Sequence, residues 1–128
     1  MHLDEMLDMV AQFQIATEQT LNLEPTLLSV KESNLRYELM AEENKEYFQA
    51  VVQKDKVEIA DALVDQMYVL LGTINSHGMQ SMFLEAFSRV HENNMTKVGP
   101  DGKLLRDPSG KILKPSGFKA VDLTDLIN

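Results

Sequence analysis

Two predicted helices carry carboxylates on their apolar sides, where a folded chain normally places hydrocarbon. With roughly 100° of rotation per residue, Glu43 falls at the centre of an apolar stripe, and Glu46 lies about 60° away from it. The residues of that stripe are Leu39, Met40, Tyr47, Ala50 and Val51. Glu38 is expected to face outward, as most helix carboxylates do. The pattern therefore predicts that part of this acidic helix points its carboxylates into the fold.

The next predicted helix repeats the pattern. Glu58, Asp61 and Asp65 form one stripe at i, i+3 and i+7, although the opposite side is already apolar throughout. A helix that is apolar on nearly all sides is buried, so its carboxylates need a partner of opposite charge. The alternative, in which both acidic stripes simply face water, is the ordinary interpretation of Glu-rich helices and stays open on the pattern alone.

Electrostatics favours a divalent cation as the partner. Two carboxylates about 5 Å apart repel each other by roughly 3 kcal/mol at an effective dielectric constant of about 20. Burying one of them unpaired costs several kcal/mol more. Lys54 is the lysine nearest to the two stripes, and the three arginines are scattered. Because the chain has no cysteine and three dispersed histidines, oxygen ligands are expected, which suit Mg²⁺, with Mn²⁺ as the alternative, rather than Zn²⁺.

Charge and hydropathy restrict the partners of the chain. Residues 1–95 carry 16 acidic and 6 basic side chains, a net charge of −10, whereas residues 96–128 carry 4 and 6, a net charge of +2. An acidic body disfavours binding to a nucleic-acid duplex. The longest apolar run within residues 66–84 is Met67–Leu71, far short of the roughly 20 residues that span a membrane. Since the acidic start MHLDEM does not resemble a signal peptide, we expect a cytoplasmic protein that does not bind membranes.

Hydrophobic periodicity predicts four helices, at about residues 4–19, 33–53, 56–76 and 80–94. Ser33 or Asn34 is expected to cap the second helix, and Gly78 is expected to end the third in a left-handed conformation. Turn sequences at 99–102 and 107–110 each precede a similar GKLL or GKIL segment, which predicts a short hairpin. We therefore divide the chain into a helical domain, 1–97, and an extended tail, 98–128, that packs on it.

The ordered motifs resemble those of a known superfamily. EENKE (42–46) followed by EIAD (58–61) resembles the EExxE…ExxD signature of the all-α nucleoside triphosphate pyrophosphohydrolases. The segments DALVDQMYVLLGTINSHG (61–78), VHENNMTK (90–97) and GKILKP (110–115) look like the MazG-like and phosphoribosyl-ATP pyrophosphohydrolase-like branch. The resemblance covers roughly residues 5–123.

The resemblance implies an all-α, four-helix-bundle-like fold of the MazG type with a short extended or hairpin tail. It further implies that the bundle is completed by a homodimer or a higher homo-oligomer. The ligands of Mg²⁺ would be Glu43, Glu46, Glu58 and Asp61. Glu42 would orient or deprotonate the attacking water, and Asp65 would be a further ligand or would support one. Asn94 and Lys97 would contact the phosphates of the nucleotide substrate.

The implied reaction is Mg²⁺-dependent hydrolysis of a (d)NTP to a (d)NMP and pyrophosphate, by attack of water on the α-phosphorus. Such a reaction would serve nucleotide-pool sanitation. Two alternatives stay open: a phosphoribosyl-ATP pyrophosphohydrolase of histidine biosynthesis, and a non-catalytic helical module that binds a metal or a basic partner. The short interval between Glu46 and Glu58, together with the long C-terminal segment, favours a (d)NTP as the substrate.

Overall fold

A computed structural model describes residues 1–98 and 102–128. The described residues form five helices and no strand, which confirms the predicted all-α class. The helices are α1 (Leu3–Ala16), α2 (Val30–Val52), α3 (Lys56–His77), α4 (Phe83–Met95) and α5 (Thr124–Ile127). None of these described helices combines the length and the apolar character needed to cross a bilayer. The chain divides into two compact units, Met1–Gln80 and Ser81–Asn128.

The helix α2 begins earlier than its sequence predicted. Ser29 caps it: the Ser29 hydroxyl accepts a hydrogen bond from the Glu32 N–H at 3.1 Å. The Glu32 carboxylate in return accepts from the Ser29 N–H at 3.3 Å. This reciprocal capping box satisfies two backbone donors at once, so the expectation that Ser33 or Asn34 caps the helix was wrong. The cap of α3 is Asp55, which accepts from the backbone N–H groups of Val57 and Glu58.

In the first unit α2 and α3 form an antiparallel hairpin, and α1 packs against α3. Gln66 donates to the side-chain oxygen of Asn44 at 3.0 Å. Eight residues before Asn44 on α2 and three residues after Gln66 on α3, Arg36 donates to the carbonyl of Val69 at 2.9 Å. The buried apolar side chains of this unit are Leu7, Val10, Ala50, Ala62, Leu71 and Ile74. The tight turn between the helices passes through Lys54, which has a positive φ of 58°.

A buried polar network fixes α1 on the C-terminal half of α3. The Asn75 amide donates to the carbonyl of Leu7 at 3.0 Å and to the side-chain oxygen of Gln14 at 3.1 Å. Gln14 in turn donates to the carbonyl of Gly72 at 2.9 Å and to the Ser76 hydroxyl at 3.2 Å. Because buried amides are costly unless they are hydrogen-bonded, this network specifies how α1 is placed along α3.

The third helix ends at Gly78 with a φ of 69°, as its sequence predicts.

In the second unit α4 begins at Phe83, three residues later than predicted. Arg89 of α4 holds the carboxylate of Asp125 through two hydrogen bonds of 2.6 and 2.9 Å. The predicted hairpin corresponds to one antiparallel bridge between Arg106 and Ile112. Most of the turn expected at 99–102 lies outside the described residues.

Candidate metal centre

The α2–α3 hairpin brings carboxylates of both helices together. Glu43 and Glu46 lie one turn apart on α2, and Asp65 lies opposite them on α3. One oxygen from each of these three carboxylates lies within 4.8 Å of the others. Three acidic groups at this spacing repel one another strongly, and together they offer the all-oxygen environment that Mg²⁺ and Mn²⁺ prefer.

Glu43 contributes a buried carboxylate oxygen to the cluster. Its Oε2 atom is buried and has no hydrogen-bond partner among the described residues. Burial raises the pKa of this carboxyl from 4.5 to about 7. Repulsion from Glu46, a hydrogen bond with Glu46, and repulsion from Asp65 and Glu42 raise the pKa in the same direction. Buried polar atoms normally have a partner, so the orphaned oxygen marks a position where a cation would be favourable.

Glu46 also belongs to a second acidic group, around a polar cleft of about 310 Å³ near the α2–α3 turn. The cleft is lined by Glu46, Gln49, Ala50, Gln53, Glu58, Asp61 and Ala62. Glu58 and Asp61 are exposed to water, whereas Ala50 and Ala62 are buried and leave the cleft open because their side chains are small. The four sequence-predicted ligands thus lie in two adjoining groups that share Glu46.

The remaining candidates lie at the margin of this centre or in the other unit. Glu42 is exposed on α2, and its charge contributes to the raised pKa of Glu43. Asn94 lies in the last turn of α4, and Lys97 follows that helix with its Nζ atom 5.6 Å from the ring centre of Phe118. The role of Asn94 and Lys97 in binding phosphate stays a prediction.

Gln49 and Gln53 are not among the site residues predicted from the sequence. Both amides line the cleft beside Glu46, at the i+3 and i+7 positions that share its side of the helix. That spacing was the available signal, but glutamine on a polar helix face is too common to indicate a site. The two amides add hydrogen-bond donors to a cleft that otherwise offers carboxylates.

The raised pKa of Glu43 gives a testable dependence of stability on pH. Between its unfolded value near 4.5 and its folded value of about 7, the unfolded chain binds fewer protons, so stability falls as the pH rises. The full shift corresponds to roughly 3 kcal/mol, which screening by water reduces to about 1 to 2 kcal/mol. We expect urea unfolding without divalent metal to show that the wild type loses about 1 to 2 kcal/mol more stability than Glu43→Gln between about pH 5 and pH 8. Equal losses in both proteins would contradict the burial of the Glu43 carboxyl.

Comparison with known proteins adds an independent finding. A family model described as phosphoribosyl-ATP pyrophosphohydrolase matches residues 7–94, well over half of the chain. The matched segment runs from α1 into the last turn of α4 and includes every carboxylate of the candidate metal centre, whereas Lys97 lies beyond it. No curated protein matches the sequence.

Proposed function

The chain belongs to the phosphoribosyl-ATP pyrophosphohydrolase family, and from that premise we propose that it hydrolyses a (d)NTP to a (d)NMP and pyrophosphate with Mg²⁺. Membership supports a nucleotide pyrophosphohydrolase that acts on a phosphoanhydride bond. The single observation that carries the proposal is the carboxylate cluster with its orphaned Glu43 oxygen, next to an open polar cleft.

The donor set fits Mg²⁺, with Mn²⁺ as the alternative. Glu43, Glu46 and Asp65 would hold one cation. On the side of the cleft, Glu58 and Asp61 would act as metal ligands together with Glu46. When bound, the cation would neutralise charge on the substrate phosphates and lower the pKa of the attacking water. Asp65, a secondary candidate from the sequence, becomes a principal ligand in this proposal because one of its oxygens lies within 4.8 Å of oxygens of both Glu43 and Glu46.

The chemistry that is left to the chain is positioning and proton transfer. The described residues that line the cleft offer carboxylates and amides, and water activated by the cation is the nucleophile in this proposal. Glu42, exposed beside the cluster, would accept its proton as a general base. The amides of Gln49 and Gln53 would donate hydrogen bonds to phosphate oxygens at the wall of the cleft. Positioning and electrostatics of this kind dominate phosphoryl chemistry.

A nucleotide screen with Mg²⁺ that resolves pyrophosphate from orthophosphate tests the proposal. We expect pyrophosphate and a nucleoside monophosphate as the first products. Orthophosphate as the primary product would exclude attack on the α-phosphorus. Faster turnover of phosphoribosyl-ATP than of any (d)NTP would assign the activity for which the family is named. Metal binding without hydrolysis of any nucleotide would favour the non-catalytic module.

We also propose that the protein is a homodimer or a higher homo-oligomer. The side of α3 that faces away from α2 leaves Leu63, Met67 and Leu70 exposed by 49%, 40% and 41%. An entirely apolar groove of about 280 Å³, lined in part by Met6, Met9 and Met67, adjoins it. Contiguous apolar surface of this kind marks an interaction site.

Sedimentation at micromolar concentration should therefore show a species of at least twice 14.5 kDa. A substitution such as Leu70→Lys should shift the protein toward the monomer, whereas Lys56→Glu, on an exposed position of the same helix, should not. A compact, folded and active wild-type monomer would refute the proposal.

A further inference from the structure

Arg36 on α2 is a buried cation whose hydrogen-bond partners are all neutral. Its side chain is only 6% exposed. Nε donates to the Thr73 hydroxyl at 3.1 Å, Nη1 donates to the side-chain oxygen of Gln19 at 2.8 Å, and Nη2 donates to the carbonyl of Val69 at 2.9 Å. These bonds use three of the five N–H groups of a guanidinium, so two donors are left over.

No carboxylate among the described residues pairs with this guanidinium within 4.0 Å. Burial lowers the pKa of Arg36, and no neighbouring charge opposes the shift. An arginine nevertheless stays charged in a folded protein. A buried charge without an ionic partner is unfavourable, so the position calls for an explanation beyond packing.

The opposite helix is shaped to admit the guanidinium. Gly72 of α3 lies against it, and a Cβ atom at position 72 would lie 2.7 Å from Nη2 of Arg36. A larger residue would therefore push the guanidinium out of its place. The glycine lies inside a helix, where it costs up to about 1 kcal/mol relative to alanine, and the space that it leaves is taken by Arg36.

The guanidinium borders a cavity of about 130 Å³ whose walls suit a planar ring. Phe13 and Tyr68 line it, with ring centres 5.8 Å apart and ring planes at 73°, and Leu39 and Gln19 form further parts of its wall. Both rings are partly exposed. Aromatic and aliphatic walls with a few polar groups are typical of a site for a small planar ligand, and aromatic side chains stack on nucleobases of any kind.

The cavity and the carboxylate cluster lie on the same seam between α2 and α3. Arg36 precedes Glu43 by seven residues on α2, which places it on nearly the same side of the helix and roughly 10 Å away along the axis. On α3, Tyr68 follows Asp65 by three residues. This separation matches the scale of a nucleotide, in which a ribose stands between the base and the 5′-phosphates.

We propose that this cavity binds the base of the nucleotide. Arg36 would select bases that carry a carbonyl oxygen at C6 of a purine or C4 of a pyrimidine over bases that carry an amino group at that position. Guanine, uracil and thymine are of the first kind, and adenine and cytosine are of the second. A guanidinium only donates hydrogen bonds, so a base carbonyl pairs with it, whereas a base amino group opposes one donor to another. The inference rests on the proposed function, because it assigns the base of the same substrate.

The test compares kcat/KM for GTP, UTP, ATP and CTP with Mg²⁺, and the binding of GMP and AMP by calorimetry. We expect the wild type to favour GTP and UTP by about 10- to 100-fold. Arg36→Lys keeps the positive charge and loses the planar fork of the guanidinium. This variant should prefer GTP and UTP by only a few-fold in kcat/KM, mostly because their KM values rise. Lys31→Met, at an exposed position of the same helix, is the control and should keep the ratio. A purely structural role of Arg36 would lower all four rates alike.

The outcomes separate the two proposals. If no nucleotide is hydrolysed, the proposed function fails, and the calorimetric preference for GMP over AMP then decides the inference by itself. If nucleotides are hydrolysed but ATP and CTP are preferred, or no base is preferred, the inference is overturned and the function stands. A preference for GTP that survives in folded Arg36→Lys also overturns it. If that variant does not fold, the wild-type ratio is decisive, because it requires no substitution.

Discussion

Replacing Glu43 with glutamine is expected to lower turnover by about 10³-fold or more, equivalent to roughly 4 kcal/mol of transition-state stabilisation. The metal-free variant should be as stable as the wild type or more stable. The substitution removes one charge from three carboxylates whose oxygens lie within 4.8 Å of one another. Because a cluster that repels itself in the absence of metal destabilises the fold, and the proposed function requires its charges, the loss of one charge should lower activity and not stability.

The same variant should lose most of the stabilisation that Mg²⁺ confers. A ligand that binds only the native state contributes RT ln(1 + [L]/Kd) to the free energy of unfolding, and Glu43→Gln raises Kd. Asp61→Asn, at the cleft, should behave similarly. Glu38→Gln is the matched control, because Glu38 is an exposed glutamate of the same helix. Thermal unfolding with and without Mg²⁺, alongside turnover, measures both effects. Full Mg²⁺ stabilisation and activity in Glu43→Gln, with loss of both in Glu38→Gln, would reverse the assignment of inward and outward faces.

The helical periodicity was sufficient to predict the all-α class and the stripe on which Glu43 and Glu46 lie, because both depend on the geometry of a single helix. It could not predict which carboxylates of α3 would face them. That choice depends on the register of the hairpin, which is set by the turn at Lys54 and by contacts such as Arg36 with Val69. The register places Asp65 beside Glu43 and leaves Glu58 and Asp61 at the cleft.

The buried polar residues were harder to foresee. Their polar or charged side chains argue for exposure of Gln14, Arg36 and Asn75, yet all three are almost fully buried. Their burial is tolerated only because several hydrogen-bond partners from distant parts of the chain converge on each. No spacing within a single helix encodes such an arrangement. The early start of α2 is different, because Ser29 and Glu32 form a capping box that is visible in the sequence, and the competing Ser33 and Asn34 obscured it.

Gly78→Ala is expected to lower the free energy of unfolding by about 3 kcal/mol or more. A left-handed backbone costs a residue with a Cβ atom roughly 1 to 2 kcal/mol, and crowding in a packed region adds about 1 to 3 kcal/mol. Position 78 has a φ of 69°, and a Cβ atom there would lie within 3.0 Å of three backbone atoms of Glu24. Backbone atoms cannot rotate away as the end of a side chain can, so both costs should apply.

Lys54 allows the two costs to be separated within the same unit. It has a φ of 58°, so Lys54→Gly should relieve the left-handed strain alone and stabilise the protein by up to about 1 kcal/mol. Urea unfolding of both variants would test this, and a loss of stability in Gly78→Ala no larger than the gain in Lys54→Gly would contradict the close approach of Glu24.

The contact between Gly78 and Glu24 also affects the candidate metal centre. The segment that contains Glu24 is held to the end of α3 by two backbone hydrogen bonds, from the N–H of Asn22 to the carbonyl of Asn75 at 3.1 Å and from the N–H of Thr26 to the carbonyl of His77 at 2.8 Å. That segment leads directly into α2, so displacing it from Gly78 should also disturb the register that brings Glu43 to Asp65, and the affinity for Mg²⁺ should fall together with stability.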